Sequence, residues 1–500
     1  MTAEMRREIY NILPIAMIPT FKFWILTLTL PLILTNQIIG QSAKNVWFVQ
    51  AGAEGGGRSV HHPFGTSIEI ETYTKPGDII LILPSEKPLS GGLILKEGQE
   101  LIGIAQPGSR NPVITNIDSS RMSGIGIILA KDSHIRNINI ENTYSSGVYG
   151  KNVTGAWIDQ VTISKANQSL TNTDFELPIY GRLPHGGIVL IKTNNDNPDK
   201  NRITSTSIID PAGVSIGFYS SAASEHLLSI QDCQVLGGSP VAPPFDCSIL
   251  SASIGEGTQS TLELMGSKVS GRMSRGGRNL IVLGSSKARS KARLFRSTSG
   301  EVGQDGVLGA VWMSPAQVSI DIEECTLEKA MTNIEGTIMN FPSSDSTKEH
   351  ESLVSINVNE SLVHDARITQ NYGDETVRSG NIIMGSSPFT ERPLPLGKYK
   401  LSVSNSRIEN GRGFGLYIGL LSEERRSSPE RADFEVWMRN NVIKNNGEAE
   451  LILSALNADI DARQNCWNTS NGITNDRMIL GDGSTYSQVN ASDPIPCNDK

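Results

Sequence analysis

The sequence predicts an all-β solenoid, in which short strands form rungs that stack on one another. Over residues 228–467, apolar residues recur at relative positions 0, 2 and 7, usually with Ser, Asn or Cys at position 5. A spacing of two places both apolar side chains on one face of a strand, and the change of phase at position 5 indicates a corner. A second apolar run follows each copy, and the whole unit returns at roughly 25 to 45 residues, as in solenoids. Copies of the pattern include Leu228-Ile230-Cys233-Val235, Leu262-Leu264-Ser267-Val269 and Ile320-Ile322-Cys325-Leu327.

The composition agrees with a large β protein. With 500 residues and 38% apolar content, the chain can bury an extensive core, and 48 glycines suit a turn-rich architecture. The net charge of −8 is spread along the chain, so it favours no nucleic-acid partner. Five cysteines in a chain of this length argue against a disulfide scaffold.

The first 43 residues are predicted to be a signal peptide. Arg6, Arg7 and Lys22 precede an apolar run over residues 23–34, and small or polar residues follow it. The run is about a dozen residues, which is short for a membrane-spanning helix and typical of a signal peptide. An uncleaved anchor is the alternative. We therefore expect a secreted, periplasmic or cell-surface protein with no transmembrane span in its mature form.

Residues 44–90 are predicted to form an N-terminal strand and a cap. Val46-Trp47-Phe48-Val49 has the character of a short strand, and a glycine-rich turn follows it. Residues 68–73 are expected to form a short helix or strand over the open end of the solenoid. Such a cap is needed because the first rung would otherwise expose unpaired strand edges. We place the rungs in residues 91–470 and a C-terminal tail in residues 471–500.

The opening resembles secreted right-handed parallel β-helix proteins of the pectin-lyase-like superfamily. Such proteins often begin with a strand, a Gly-rich turn, a Pro-Phe-x-Thr step and a Pro-Gly-Asp-x-Ile strand. The resemblance implies a right-handed parallel β-helix with an N-terminal cap, and it leaves activity open because the superfamily includes lyases, hydrolases, epimerases, tail-spikes and adhesins. The matching residues are Trp47, Phe48, Gly55, Pro63, Phe64, Thr66, Pro76, Gly77 and Asp78, with residues 462–467 resembling a final rung.

Residues 167–187 interrupt the rung rhythm. An insertion of this kind would lie over one face of the solenoid, where binding sites commonly form. Asp174, Arg182 and His185 are the catalytic candidates here, and Tyr180 is a candidate for substrate binding. The polygalacturonase pattern is not matched, because the chain has no Asp-Asp pair and Pro184 stands before the histidine. An ordinary surface loop is the alternative.

Residues 272–296 form a basic tract in an acidic protein. The tract carries eight Arg or Lys residues and no Asp or Glu. A polyuronate or sulfated glycan is a polyanion, so Arg272, Arg275 and Arg278 are candidates for binding it. The alternative is a solvated loop followed by the outward face of a strand, in which Arg293 alternates with apolar neighbours.

A metal site is not predicted at particular residues, although calcium is a possible cofactor. The resemblance to polysaccharide lyases implies an Arg or Lys base and a Ca²⁺ ion that acidifies the proton beside a carboxylate. No aspartate triad of the pectate-lyase type is recognisable. Asp321 and Glu323 are expected to share the outward face of one strand as a solvated pair, and adjacent His61 and His62 would point to opposite sides.

The cysteines are predicted to have two different roles. Cys233 and Cys325 stand at the corner position, where neighbouring rungs carry Ser or Asn, so they are expected to be small buried residues. A bridge between Cys466 and Cys497 would tie the tail to the last rung and leave Cys247 unpaired. Five Asn-x-Ser/Thr sequons permit glycosylation in a eukaryotic host: Asn152, Asn167, Asn359, Asn468 and Asn490.

Two functional hypotheses follow. The first is a secreted protein that binds an acidic polysaccharide or cell-surface glycan along one face, and that cleaves or epimerises it if it is an enzyme. This hypothesis predicts that the insertion and the basic tract lie close together on one face. The second is a non-catalytic adhesion scaffold that displays loops on a rigid solenoid.

Overall fold

The structure, a computed structural model, describes residues 44–497 except for internal gaps at 106–107, 109, 179–180, 197, 239–245, 275, 314, 340–351, 368–378, 387–396, 421–431, 456, 469–471 and 481–487. The predicted signal segment and two of the candidate binding residues, Tyr180 and Arg275, therefore lie outside the described residues. One compact unit spans Val46–Lys500. Within the described residues, no helix is long and apolar enough to cross a membrane.

Sheet I follows the whole length of the solenoid. In the described part of the chain it has 15 strands, all paired in parallel. These strands are β1 (Val46–Val49), β2 (Ile79–Ile82), β5 (Glu100–Gly103), β8 (His134–Arg136), β11 (Trp157–Asp159), β16 (Asp199–Thr204), β19 (Glu225–Gln231), β22 (Gln259–Met265), β25 (Arg289–Phe295), β28 (Gln317–Glu323), β31 (Leu353–Asn359), β34 (Gly397–Ser404), β37 (Ala432–Arg439), β40 (Asn457–Asp461) and β43 (Val489–Asn490).

Sheet II is built from the short strands that follow each corner. Among the described residues it has 13 strands, again all parallel. They are β3 (Leu89–Ser90), β6 (Val113–Thr115), β9 (Asn139–Glu141), β12 (Thr162–Ser164), β17 (Ser207–Ile209), β20 (Gln234–Leu236), β23 (Lys268–Ser270), β26 (Thr298–Ser299), β29 (Thr326–Glu328), β32 (Leu362–His364), β35 (Arg407–Glu409), β38 (Val442–Lys444) and β41 (Cys466–Trp467).

Sheet III completes each rung before the chain returns to sheet I. Its 13 parallel strands within the described residues are β4 (Leu93–Ile94), β7 (Ile127–Ile128), β10 (Val148–Lys151), β15 (Gly186–Lys192), β18 (Val214–Ser220), β21 (Cys247–Ile254), β24 (Arg278–Ser285), β27 (Asp305–Met313), β30 (Thr332–Ile338), β33 (Gly380–Ser386), β36 (Phe414–Leu420), β39 (Ala449–Ser454) and β42 (Met478–Leu480). The remaining elements are the antiparallel hairpin of β13 (Asn172–Leu177) and β14 (Gly181–Pro184), helix α1 (Ser67–Tyr73) and a 3-10 turn (Met122–Gly124).

The rungs stack in register, so equivalent side chains form continuous columns. Ile320 pairs with Ile356, and Ile356 pairs with Leu401. All three point into the core and are at most 1% exposed. Each rung visits the three parallel sheets in turn, so the protein is a parallel β-helix, which confirms the predicted all-β solenoid fold.

The corner between sheets I and II explains the polar residue at position 5 of the repeat. Asn441 is fully buried and donates its side-chain amide to the carbonyl of Val403 at 2.8 Å and to Oδ1 of Asn465 at 2.9 Å. The residue before it, Asn440, has a φ of 57°, a left-handed conformation that asparagine tolerates well. At this corner, therefore, the side-chain amide satisfies a buried backbone carbonyl of the preceding rung and contacts the equivalent Asn of the following rung.

The cap predicted over residues 68–73 is helix α1. Thr66 caps it, and Glu69 completes a capping box by accepting a hydrogen bond from the backbone of Thr66. Ile70 is fully buried in the same hydrophobic cluster as the rungs. The helix therefore covers apolar residues at the N-terminal end of the solenoid.

Rungs are present on both sides of the predicted bounds 91 and 470. At the start, β1 and β2 already pair in sheet I. At the end, β42 and β43 still pair with sheets III and I.

In the structure, Cys466 and Cys497 form a disulfide with Cα atoms 5.1 Å apart, while Cys233, Cys247 and Cys325 are free and buried.

Sheet III differs from the other sheets because its central strands are buried on both faces, whereas β4, β7, β10 and β42 near its ends are not. Strands such as β15 and β24 are buried at every position. Leu250, Ile281 and Leu308 form a column on the outer face, and each is at most 3% exposed. This apolar outer face is where the candidate site lies.

Candidate functional site

The insertion predicted at residues 167–187 forms a hairpin that packs on the outer face of sheet III. Along β13 buried and exposed residues alternate, and Phe175 and Leu177 point toward the sheet. Together with Leu183 of β14, they join the apolar cluster that contains Leu250 and Ile281. The period of two thus gives the hairpin one apolar face and leaves its polar face outward.

Polar contacts fix the base of this hairpin. The side-chain amide of Asn167, a buried residue, donates to the carbonyls of Thr171 at 3.2 Å and His185 at 3.0 Å. The hydroxyl of Tyr219 donates to the carbonyl of Pro184 at 3.2 Å. Because these bonds hold the chain immediately before His185, the position of that histidine is fixed by the hairpin and the sheet together.

Strand β10 presents two polar side chains to the hairpin. The ammonium group of Lys151 forms an ion pair with Oδ2 of Asp174, and the hydroxyl of Tyr149 donates to Oδ1 of Asp174 at 3.4 Å. Lys151 and Asp174 are 39% and 55% exposed, so this edge of the cluster faces solvent. The three residues therefore combine a cation, a carboxylate and a phenol in one place.

His185 lies at the inner edge of the same cluster. Its Nδ1 is 2.6 Å from the hydroxyl oxygen of Ser146, and its ring centroid is 5.6 Å from that of Tyr149. The residue is only 9% exposed. Ser146, Tyr149, Lys151, Asp174 and His185 are together called the hairpin cluster below.

Burial shifts the pKa values of His185 and Tyr149, two members of the hairpin cluster, in opposite directions. Burial lowers the pKa of His185 to about 4, although the charge of Asp174 opposes the shift. Burial, followed by the charge of Asp174, raises the pKa of Tyr149 to about 12. For Asp174, desolvation is opposed by the hydrogen bond and charge of Lys151, and the net result is a lowered pKa. At neutral pH the cluster therefore holds a neutral imidazole beside a protonated phenol, which is an acid–base pair.

The predicted catalytic residues are divided between this cluster and its surroundings. Asp174 and His185 are both members of it. Arg182 lies on the exposed side of the hairpin, where its Nε is 3.3 Å from Oε1 of Glu176. Sequence reasoning missed Tyr149 and Lys151, since they belong to the rung before the insertion and are brought to it only by the pairing of β10 with β15.

The basic tract begins with two buried arginines. Arg272 is fully buried, with Nη1 3.1 Å from Oδ1 of Asp246 and Nη2 donating to the carbonyl of Gly213 at 2.8 Å. Arg278 is 9% exposed, and its Nε donates to Oδ2 of Asp305 at 2.6 Å. These positions favour a structural role for both guanidinium groups over contact with a polymer, so neither is assigned to the site.

Later in the tract, Lys291 and Arg293 point outward from strand β25 of sheet I, Arg296 follows that strand, and all three pair with acidic residues. The prediction that the insertion and the basic tract lie close together on one face is wrong for these three residues, because the hairpin packs on sheet III, where only Arg272 and Arg278 of the described tract residues lie near it. This arrangement is the solvated outward strand face that was the alternative interpretation of the tract. The ion pairs are Lys291 with Asp321 at 2.8 Å, Arg293 with Glu263 at 3.3 Å and Arg296 with Glu324 at 2.6 Å.

A second buried ionic cluster, which sequence reasoning did not identify, lies further along sheet III. Asp305 hydrogen-bonds to Glu335 as well as to Arg278, and burial raises the pKa of both carboxyl groups. The guanidinium of Arg278 thus offsets the charge of two desolvated carboxyl groups, which favours a proton shared between Asp305 and Glu335. Glu335 occupies the same outer column as Tyr149, six strands away, or about 29 Å at about 4.8 Å per strand. The two clusters are therefore separate.

Comparisons with known proteins found distant likenesses among solved structures. No protein-family model matches the chain, and no curated protein matches it. Among solved structures, the periplasmic alginate epimerase AlgG is similar with a TM-score of 0.40 and 12% identity, over 75% of each chain. The A-module of the Azotobacter vinelandii mannuronan C-5 epimerase AlgE6 gives 0.43 and 11%, over 84% of this chain and 95% of that one. Pectate lyase Pel9A gives 0.34 and 11%, over 90% and 83%. Such distant likenesses concern the fold alone.

Proposed function

We propose that this protein acts on an acidic, uronate-containing polysaccharide, and that the hairpin cluster is its reaction site. The observation that carries the proposal is the convergence of a neutral, buried histidine, a protonated tyrosine and a solvent-exposed lysine around Asp174. Removal of the proton beside a sugar carboxylate needs these three functions: a base, an acid and a cation. The predicted signal peptide is consistent with a substrate outside the cytoplasm.

His185 is assigned the role of base. Its Nε2 takes the proton from C5 of the uronate, and the electron pair left behind is delocalised into the carboxylate. This role requires Nδ1–H to donate to the oxygen of Ser146, so that the lone pair is on Nε2. The low pKa keeps the imidazole neutral at neutral pH, while the same low value makes it a weak base.

Lys151 is assigned to the substrate carboxylate and Tyr149 to proton donation. The Lys151 ammonium offsets the negative charge that grows on the carboxylate, after exchanging its contact with Asp174 for one with substrate. Tyr149 then donates its proton. If the proton goes to O4 as the C4–O4 bond breaks, the product is an unsaturated uronate; if it goes to C5 from the opposite face, the product is the epimer.

The test is a binding and turnover screen of the purified protein. Polygalacturonate and alginate are compared with a neutral glucan, with and without Ca²⁺, by ultraviolet absorbance of unsaturated products, reducing ends and retention. We expect turnover of the uronate polymers and not of the neutral glucan, and this turnover should be lost in His185→Gln and Tyr149→Phe. Tyr144→Phe is the matched control, since half-buried Tyr144 is not a member of the cluster.

Three outcomes separate the functional hypotheses. Unsaturated product makes the protein a lyase, and retention without chemical change makes it a binding module and overturns the catalytic roles. Absence of both binding and turnover with every uronate polymer overturns the proposal and favours the adhesion scaffold. Whether the reaction depends on Ca²⁺ is tested in the same screen, by comparing the samples with and without the ion.

A further inference from the structure

A histidine and two carboxylates meet on the outer face of sheet II, away from the hairpin cluster. Glu328 ends β29 and His364 ends β32, and the two residues are direct partners in adjacent rungs. Asp365 follows His364 in the chain. Ligand atoms of the three side chains all lie within 4.8 Å of one another. Their side chains are between 17% and 43% exposed, so they are accessible to ions from solvent.

The two nitrogens of His364 have different partners. Nδ1 is 3.0 Å from Oδ2 of Asp365, and Nε2 is 3.5 Å from Oε2 of Glu328. If Nδ1–H donates to Asp365, the lone pair of Nε2 faces the carboxylate of Glu328. Two acceptors that face each other in this way are suited to bind a metal ion placed between them.

The distances fit a metal ion. In a tetrahedral zinc site with bonds of about 2.0–2.1 Å, two ligand atoms lie about 3.3 Å apart, close to the separation of Nε2 and Oε2. Histidine that binds a metal commonly donates its other ring N–H to a carboxylate, which fixes the tautomer. Asp365 stands where that carboxylate would be expected.

Neighbouring charged residues determine which side chains can bind a metal ion directly. The Lys329 ammonium is 3.4 Å from Oε2 of Glu328 and would have to move aside for an ion. Glu409 is the next residue in the column after His364, but both of its carboxylate oxygens already accept from Nη2 of Arg407 at 3.1 and 3.0 Å. Glu328 and His364 are therefore the two direct ligands that the geometry supports.

We propose that Glu328 and His364 bind a divalent transition-metal ion of the zinc class across two rungs, and that Asp365 orients the imidazole. Water completes the coordination. A mixed imidazole and carboxylate set favours Zn²⁺ or Ni²⁺ over Ca²⁺, which prefers oxygen ligands alone. The inference does not depend on the function proposed for the hairpin cluster.

Calorimetric titration of the purified, EDTA-treated protein with ZnCl₂ at pH 7.5 tests this site. The wild type is expected to bind one ion, and Ca²⁺ at the same concentration should not displace it. His364→Gln and Glu328→Gln should each weaken binding at least tenfold, and Asp365→Asn about tenfold. Lys329→Gln should tighten binding, because a competing cation is removed.

His62→Gln is the matched control, since His62 is exposed and belongs to the cap region. It should bind zinc as the wild type does. The proposal is overturned if the wild type binds no zinc, if His364→Gln and Glu328→Gln bind it unchanged, or if His62→Gln abolishes binding. Melting curves without metal show whether each variant is folded, and two independent ligand variants keep the test valid if one is not.

Discussion

At the scale of the residue, burial separates charged side chains that hold the fold from those available for chemistry. Arg272 was a candidate for ligand binding on charge alone, yet it is fully buried against Asp246. Asp174 and His185 were selected from the insertion and do lie in one cluster. Tyr149 and Lys151 could not be selected in the same way, because their proximity to Asp174 depends on how the hairpin folds back over the preceding rung.

His185 provides a direct test of this electrostatic environment. Its pKa should be about 4, because burial penalises the imidazolium more than Asp174 favours it. The Cε1 proton resonance, assigned by its absence in His185→Gln, should be constant from pH 8 to 5.5 and titrate below that. A midpoint near the ordinary value of about 6.5 would mean that the ring is solvated.

The lowered pKa of His185 also affects how the stability of the folded protein depends on pH. Above pH 6.5 the ring is neutral in both folded and unfolded protein, so it contributes no pH dependence. Between about pH 6.5 and 4 the unfolded chain binds a proton that the folded protein does not, and stability falls as the pH falls. His185→Gln should remove this part of the pH dependence.

At the scale of the element, the periodic pattern predicted the rungs well because one interaction dominates them. Position 0 and position 2 of each copy point into the core, and the polar residue at position 5 lies in the corner, as the buried amide of Asn441 shows. Sheet III was harder to interpret. Its strands, such as β24, are short apolar runs buried on both faces, and such a run does not reveal what covers its outer side.

Two substitutions on adjacent sheet I strands compare an inward with an outward position. Ile322 is 1% exposed, and Ile322→Ala should lower the free energy of unfolding by about 2–5 kcal/mol through the lost apolar contacts and the cavity. Arg293 is 55% exposed and its pair with Glu263 is at the surface, so Arg293→Ala should be close to neutral. Urea denaturation of both variants measures the difference, and equal losses would mean that the inward and outward faces are assigned incorrectly.

At the scale of the whole molecule, the protein is a stack in which each rung contacts mainly its neighbours. The N-terminal end is covered by helix α1, and the C-terminal strands are tied by the bridge between Cys466 and Cys497. Solenoids of this kind are expected to lose structure locally, from an end, when one terminal contact is removed. The rest of the stack should stay folded.

Loss of the disulfide should therefore loosen only the last rungs. The bridge closes a loop with a sequence separation of 31, for which the chain-entropy model gives about 3–4 kcal/mol. In Cys497→Ser, hydrogen exchange of β40 and β43 should accelerate while that of β1 and β2 is unchanged. Cys233→Ser is the matched control, since serine occupies the same corner position in neighbouring rungs. Acceleration throughout the chain would contradict a locally cooperative stack.

The fate of the hydrogen at C5 reports whether the hairpin cluster removes the proton beside a uronate carboxylate. A polyuronate is incubated with the protein in D₂O, and loss of the C5–H signal is followed by NMR. Epimerisation replaces this proton with deuterium, whereas elimination makes C5 part of the C4=C5 double bond, so both reactions remove the signal. The wild type should lose the C5–H signal, His185→Gln and Tyr149→Phe should lose it at least about 100-fold more slowly, and Tyr144→Phe should match the wild type. A C5–H signal that persists with every uronate polymer, or undiminished loss in His185→Gln, would show that the hairpin cluster does not remove this proton.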